Sequence, residues 1–250
     1  MHNAKNPKKI LQVNNLVKKF GGITAINNVS IHLNEGEILG LIGANGAGKT
    51  TLFNVISGAF PPTSGEILYK GKRLEKMPSY KICKLGIGRT YQIVKPFASL
   101  TVHENVMVGA LLRESNLDKA SEKANKILKF VGLWSKRDMQ GKTLSLPELK
   151  RMEVARALAT DPKILLLDEV MAGLNPKESE EVIQLILQIC DSGISLIIIE
   201  HVMKAIMALS NRIYVLNQGK LIAEGTPEEI TNNDEVKASY FGEAKYAKIM

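Results

Sequence analysis

The chain has 250 residues, 45% of them hydrophobic, and a formal net charge of +8 at pH 7. This suits a folded α/β domain or a core with an inserted subdomain, and it excludes a collagenous, disordered or disulfide-stapled chain. The two cysteines, Cys83 and Cys190, read as small core residues in a reducing compartment, and the longest apolar runs, Ile164–Leu167 and Leu196–Ile199, are too short to span a bilayer. Lysines are scattered, with local enrichment only at the extreme N-terminus and over 241–250. A solvated basic surface is therefore expected, not a nucleic-acid face.

In chain order, the apolar patterning predicts strands at Ile10–Val17, Val29–Leu33, Glu37–Ile42 and Gly65–Tyr69. Thr51–Ile56 reads as the first turns of a helix, and Pro61–Gly65 as a turn. From Leu100 to Thr160 the text is helical. Thr101 and Glu104 form a capping-box pair opening a helix to about Leu112. Asp118–Val131 carries a second helix with Ala120, Ala124, Ile127, Leu128 and Val131 on one face, and Ser145 with Glu148 opens a third. The last third alternates: strand Lys163–Leu167, helix Pro176–Cys190 capped by Asn175, strand Ile194–Ile199, helix His201–Leu209. Arg212–Leu216 and Lys220–Ala223 read as a hairpin across Asn217-Gln218-Gly219, and Thr226 caps a short helix. Such alternation implies a largely parallel sheet with ligands at the strand C-termini.

Gly43-Ala44-Asn45-Gly46-Ala47-Gly48-Lys49-Thr50, followed by Thr51, fits the phosphate-binding loop G-x-x-x-x-G-K-[ST] between a buried strand and a helix. Glycines let the backbone curl so that several N–H groups converge on one phosphate, and the helix N-terminus adds its dipole. Lys49 is expected to reach the β- and γ-phosphates, and the Thr50 hydroxyl to ligate Mg²⁺. Ile164-Leu165-Leu166-Leu167-Asp168-Glu169 is an apolar strand ending in two carboxylates. Downstream of a phosphate loop this is the Walker B arrangement, in which Asp168 holds Mg²⁺ and Glu169 orients or deprotonates water. His201 follows the strand Ile194–Ile199, where a neutral imidazole could donate to the γ-phosphate.

These residues, in this order, resemble the ATP-binding cassette (ABC) ATPases over nearly the whole chain. Gln92 in Arg89-Thr90-Tyr91-Gln92 looks like the family's Q-loop, and Ala172-Gly173-Leu174-Asn175 like its D-loop with Asn175 in place of the usual Asp. The resemblance implies that Gln92 senses Mg²⁺ and the attacking water, that His201 serves at the γ-phosphate, and that Phe20 stacks on adenine. It also implies that Ser145 caps the γ-phosphate held by a second cassette. The signature segment departs from the family's L-S-G-G-Q, reading Leu144-Ser145-Leu146-Pro147-Glu148. Pro147 removes a backbone donor and Leu146 adds bulk, so weakened trans contacts or altered turnover are expected. The implied fold is an α/β P-loop ATPase core with a mostly parallel sheet, an N-terminal antiparallel β subdomain and an inserted α-helical subdomain. One ATPase domain then covers the chain: β subdomain and P-loop part at 1–92, helical subdomain at 93–160, and the rest of the core at 161–250.

Gly86–Gln92, Leu100–Val106 and Ile199-Glu200-His201 resemble the ATPases of branched-chain amino-acid importers, and the lipopolysaccharide exporter's ATPase is a close relative. The resemblance implies ATP and Mg²⁺ as cofactors and a second cassette, a paralogue or an identical chain. It further implies transmembrane permease subunits and, indirectly, an extracytoplasmic solute-binding protein. No nucleic-acid partner is expected. The implied location is the cytoplasmic face of the cell membrane, with the chain soluble when isolated. A soluble non-transport ABC ATPase and a nucleotide kinase or GTPase are the rival readings; the kinase or GTPase leaves Gln92, Ser145, Asp168-Glu169 and His201 together unexplained.

Overall fold

The computed structural model describes residues 8–241, so the lysine-rich C-terminal end and part of the N-terminal one lie outside the described residues. Strands β1 (Lys9–Phe20) and β2 (Ile23–Asn34) form an antiparallel hairpin closed at Gly21-Gly22. Both are longer than the alternation predicts, because register shifts interrupt the pairing, with Asn15 and Asn28 at φ +48° and +55°. Each bulge slips the side-chain period by one, which hides the strand from a period-two reading. With β4 (Ser64–Tyr69) and the short β5 (Lys72–Arg73) the hairpin builds a sheet of order β2-β1-β4-β5, antiparallel throughout.

The second sheet has the order β10-β9-β3-β8-β7-β6. Its members are β3 (Ile38–Gly43), β6 (Ile87–Arg89), β7 (Ile164–Asp168), β8 (Ser195–Ile199), β9 (Arg212–Asn217) and β10 (Lys220–Gly225). All neighbours are parallel except β10, which turns back on β9 as the predicted hairpin. Every residue of β3, β7 and β8 is buried, as expected of strands covered on both faces. The pleat divides them between two cores. Leu165, Leu167, Leu196 and Ile198 face the one built with helices α3 (Val102–Ala110), α4 (Leu117–Phe130), α5 (Leu146–Ala159), α6 (Pro176–Asp191) and α7 (Met203–Leu209). Ile164, Leu166, Ile197 and Ile199 face the other, with the antiparallel sheet and α1 (Lys49–Ile56).

The local start signals hold where they were read. Thr101 N–H donates to Glu104 Oε2 at 2.7 Å and Glu104 N–H returns to Thr101 Oγ1 at 3.1 Å, closing the box before α3. Asn175 caps α6 in the same reciprocal way with Glu178. Helix α4 starts a residue earlier than predicted because Asn116 accepts from Lys119 N–H. Helix α7 starts only at Met203, leaving His201 on the connection from β8 and not in the helix. Helix α2 (Ser79–Leu85) and β6 carry no strong periodicity; β6 has three residues with Gly88 in the middle. Cys83 and Cys190 are only partly buried; Cys190 packs against the helical core, and its Sγ lies 3.4 Å from Gly36 O as a weak donor. No helix among the described residues is long and apolar enough to cross a membrane.

Parallel pairing sets the ends of β3, β6, β7 and β8 along one edge, so the segments after Gly43, Arg89, Asp168 and Ile199 meet there.

Candidate nucleotide-binding and hydrolytic site

The loop between β3 and α1 is clamped from behind. At Gly43, with φ +154°, an added Cβ would sit 2.2 Å from Leu216 O; at Gly48, with φ +106°, it would sit 2.6 Å from Ala25 O. Neither position admits a side chain. Ala47 is buried, its carbonyl accepts from Gly219 N–H at 2.9 Å, and its own N–H donates to Ala44 O at 3.1 Å. The outer rim, Ala44, Asn45, Gly46 and Thr50, is exposed, and Thr51 is half-buried. Lys49 opens α1 and is only 6% exposed. Its Nζ donates to Gly43 O at 2.7 Å and Ala44 O at 3.1 Å. Burial lowers its pKa, against the opposing pull of Glu169 and Asp168.

Asp168 ends β7, fully buried. Arg89, at the end of the adjacent β6, donates to its Oδ2 at 3.1 Å and also to Asn54 Oδ1 on α1 at 2.6 Å and to Ser57 Oγ, just past that helix, at 3.1 Å. Burial raises the Asp168 pKa, and Arg89 opposes that shift. Oδ1 of Asp168 is buried without a hydrogen-bond partner among the described residues. Asp168, Thr50 and Gln92 line one cavity of about 510 Å³ with Arg89, Tyr91 and Glu153. An unpartnered carboxylate oxygen beside a hydroxyl is a donor set that fits a hard divalent cation such as Mg²⁺.

Glu169 is the junction of the site. Gln92 Nε2 donates to its Oε2 at 2.7 Å, and His201 Nε2 to its Oε1 at 2.8 Å. Its backbone adopts φ +51°, a left-handed conformation rare outside glycine and costing about 1–3 kcal/mol. Such strain persists only where surrounding bonds fix it. Glu169 N–H donates to Ile199 O at 2.9 Å, and Lys150 Nζ on α5 donates to Glu169 O at 2.9 Å.

Glu200, between β8 and His201, is 1% exposed and accepts from Met171 N–H at 2.9 Å. Burial is the main cause that pushes its carboxyl up to about 7; the nearby Glu169 adds to the shift and Lys150 opposes it. The native state thus holds a proton that the unfolded chain has released, so stability falls as pH rises from about 4.5 to about 7. Glu200→Gln keeps an acceptor for Met171. Its melting temperature is expected to lose less than the wild type's across that window, as read by calorimetry; parallel pH profiles would place the proton elsewhere.

The sequence-predicted residues thus divide. The loop Gly43–Thr50, Asp168, Glu169, Gln92 and His201 converge on one edge. Ser145 does not join them: it precedes α5, its N–H donates to Glu148 Oε2 at 2.9 Å, and it lines a separate cavity of about 310 Å³ with Arg151 and Glu181. Leu146 is exposed and packs toward Gly173. Phe20 stands at the β1–β2 turn, 43% exposed, with its ring edge-on to Phe60 at 5.6 Å and Lys18 Nζ 4.8 Å away. The sequence reading missed Phe60, Arg89, Lys150 and Glu200. Of these only Glu200, a carboxylate directly after an all-apolar strand, carried a local signal.

A family profile described as ABC transporter matches residues 26–172. The chain belongs to the ABC transporter family. It is an ABC ATPase, and it binds nucleotide. A second profile, of the branched-chain amino acid ATP-binding cassette transporter, matches residues 220–246. The ABC ATPase is 42% identical to the high-affinity branched-chain amino acid transport ATP-binding protein LivG of Salmonella typhimurium, over 94% of this chain and 98% of LivG. It is 38% identical to BraF of Pseudomonas aeruginosa, over 95% and 99%. It is also 36% identical to the lipopolysaccharide export ATP-binding protein LptB of Escherichia coli, over 93% and 97%. Among solved structures it resembles the ADP conformation of the cassette MJ1267, with TM-score 0.86 and 33% identity over 94% of this chain and 99% of that one. This agrees with the expected P-loop ATPase fold and its two kinds of sheet.

Proposed function

We propose that this ABC ATPase powers the uptake of branched-chain or other hydrophobic amino acids through a membrane permease. The observation that supports the chemistry is the double hold of Gln92 and His201 on Glu169, beside the phosphate loop and Asp168. Support for the substrate comes from the relatives LivG and BraF, named for branched-chain amino acid transport and matched along almost their whole length.

In this reading ATP lies on the Gly43–Thr50 loop, with Phe20 against the base and Lys49 turned from its carbonyl partners to the β- and γ-phosphates. Thr50, Asp168 and Gln92 would hold Mg²⁺, which neutralises charge on the phosphates when bound. Glu169 takes the proton of the attacking water; for this, one of its two side-chain bonds gives way to that water. The left-handed backbone at Glu169 and the donors around it fix where the carboxylate points.

Ser145 sits away from this edge and serves a nucleotide held by a second cassette. The related cassette MJ0796, 26% identical with TM-score 0.79, was solved as a dimer bound to ADP and Pi. The partner cassette is a paralogue or an identical chain, and the pair works at the cytoplasmic face of the cell membrane. There it meets permease subunits and, through them, an extracytoplasmic binding protein. The working unit is one ATPase domain, with 93–160 as its helical subdomain between core parts 1–92 and 161–250.

LptB supports a second reading, an exporter's ATPase. Uptake of labelled leucine by cells with and without the gene separates the two. Loss of uptake, restored by the wild-type gene, is expected. Unchanged leucine, isoleucine and valine uptake would discard the importer reading, and copurification with permeases from solubilised membranes would show whether a transporter remains.

A further inference from the structure

Lys150 lies on α5, five residues beyond Ser145, and is 5% exposed. A buried ammonium is costly unless its donors are satisfied. Two of its contacts are backbone carbonyls from segments remote in sequence: Gln92 O at 3.2 Å and Glu169 O at 2.9 Å. These are the same two residues whose side chains meet at 2.7 Å. One cation therefore spans three elements: the helix behind the signature segment, the connection after β6 and the connection after β7. The carboxylates of Glu200, Glu169, Asp168 and Glu153 surround it and offset its charge. Arg89 is engaged with Asp168, Asn54 and Ser57, and Lys49 with its own loop, so neither cation duplicates this bridge.

We infer that Lys150 is a positioning residue that couples α5 to the hydrolytic carboxylate, by holding the left-handed peptide of Glu169 and the backbone of Gln92 in one register. It touches neither phosphate nor water; it acts through Glu169. A shift of α5 pulls on both carbonyls together, so the pose of the general base follows the position of the signature helix. The inference rests on the reading of Glu169 as the base.

The test is a double-substitution cycle on the full chain with Mg-ATP. Lys150→Met keeps the length and removes the donors. Its kcat is expected to fall about 10- to 100-fold, the usual result of misplacing a reacting group by an ångström or so, while KM for ATP changes little. Lys150→Arg, which retains donors, is expected to restore part of the rate. In a Glu169→Gln background, adding Lys150→Met is expected to cost much less of the residual turnover than it costs alone, because the proton acceptor it positions is gone. An equal fold-loss in both backgrounds would assign Lys150 a general structural role and overturn the inference. Should Lys150→Met fail to fold, Lys150→Leu, which also lacks donors, takes its place in the cycle with the same criterion. Near-normal turnover in Glu169→Gln alone would instead remove the base itself, an outcome read before the cycle is closed.

Discussion

Glu169→Gln is expected to bind ATP as the wild type does and to hydrolyse it about 10²–10⁴ times more slowly, the usual worth of a positioned general base. The side chains are nearly isosteric, so Gln92 and His201 still find an oxygen on the amide at one of their two contacts, and the fold around φ +51° is kept. What disappears is the capacity to accept a proton. With hydrolysis stopped, the contacts that ATP makes between two cassettes persist, so the variant is expected to elute as a dimer with ATP and as a monomer without it. Single-turnover kinetics and size-exclusion chromatography check the two parts separately. Turnover within a fewfold of wild type would take Glu169 out of its role.

Lys49→Ala acts on binding. Charge-assisted hydrogen bonds are worth about 1.5–3 kcal/mol each, so losing one or two from the phosphates is expected to weaken nucleotide affinity by more than about tenfold. The substitution also frees the carbonyls of Gly43 and Ala44, which Lys49 now satisfies. Titration with a fluorescent ATP analogue gives the change in Kd. An unchanged Kd would discredit the phosphate-loop reading, whatever happens to turnover.

What could be read from the chain followed the range of the interactions involved. The phosphate loop, the apolar strand ending at Asp168-Glu169 and the capping boxes at Thr101 and Asn175 are local, because each is completed within a few residues. The all-buried strands β7 and β8 were legible because both faces are covered, which leaves an unbroken apolar run. The end of β1 and the start of β2 were not, since register shifts between Leu16 and Lys19 and the left-handed Asn28 break the alternation, which only the pairing reveals. Arg89 and Lys150 escaped for a different reason. A lysine or arginine on a helix or strand looks like solvent-facing charge, and only tertiary packing shows that it is buried against Asp168 or against the carbonyls of Gln92 and Glu169. Phe60 went unnoticed because it lies on the connection between α1 and β4, remote in sequence from its partner Phe20 at the β1–β2 turn. The departure at Leu146-Pro147 was plain in the text; that Leu146 packs toward Gly173 of its own chain was not.

The seat of the phosphate loop has a thermodynamic consequence. Gly43 rests on the backbone of β9, Gly48 on Ala25 in β2, and Ala47 on the amide of Gly219. Fixing a backbone residue costs about 1–2 kcal/mol of conformational entropy, and here that loss falls on folding, before any nucleotide arrives. Ligand capture then draws on rigid, ready-made curvature, so its calorimetric signature reflects charge and dehydration at the rim instead of chain ordering.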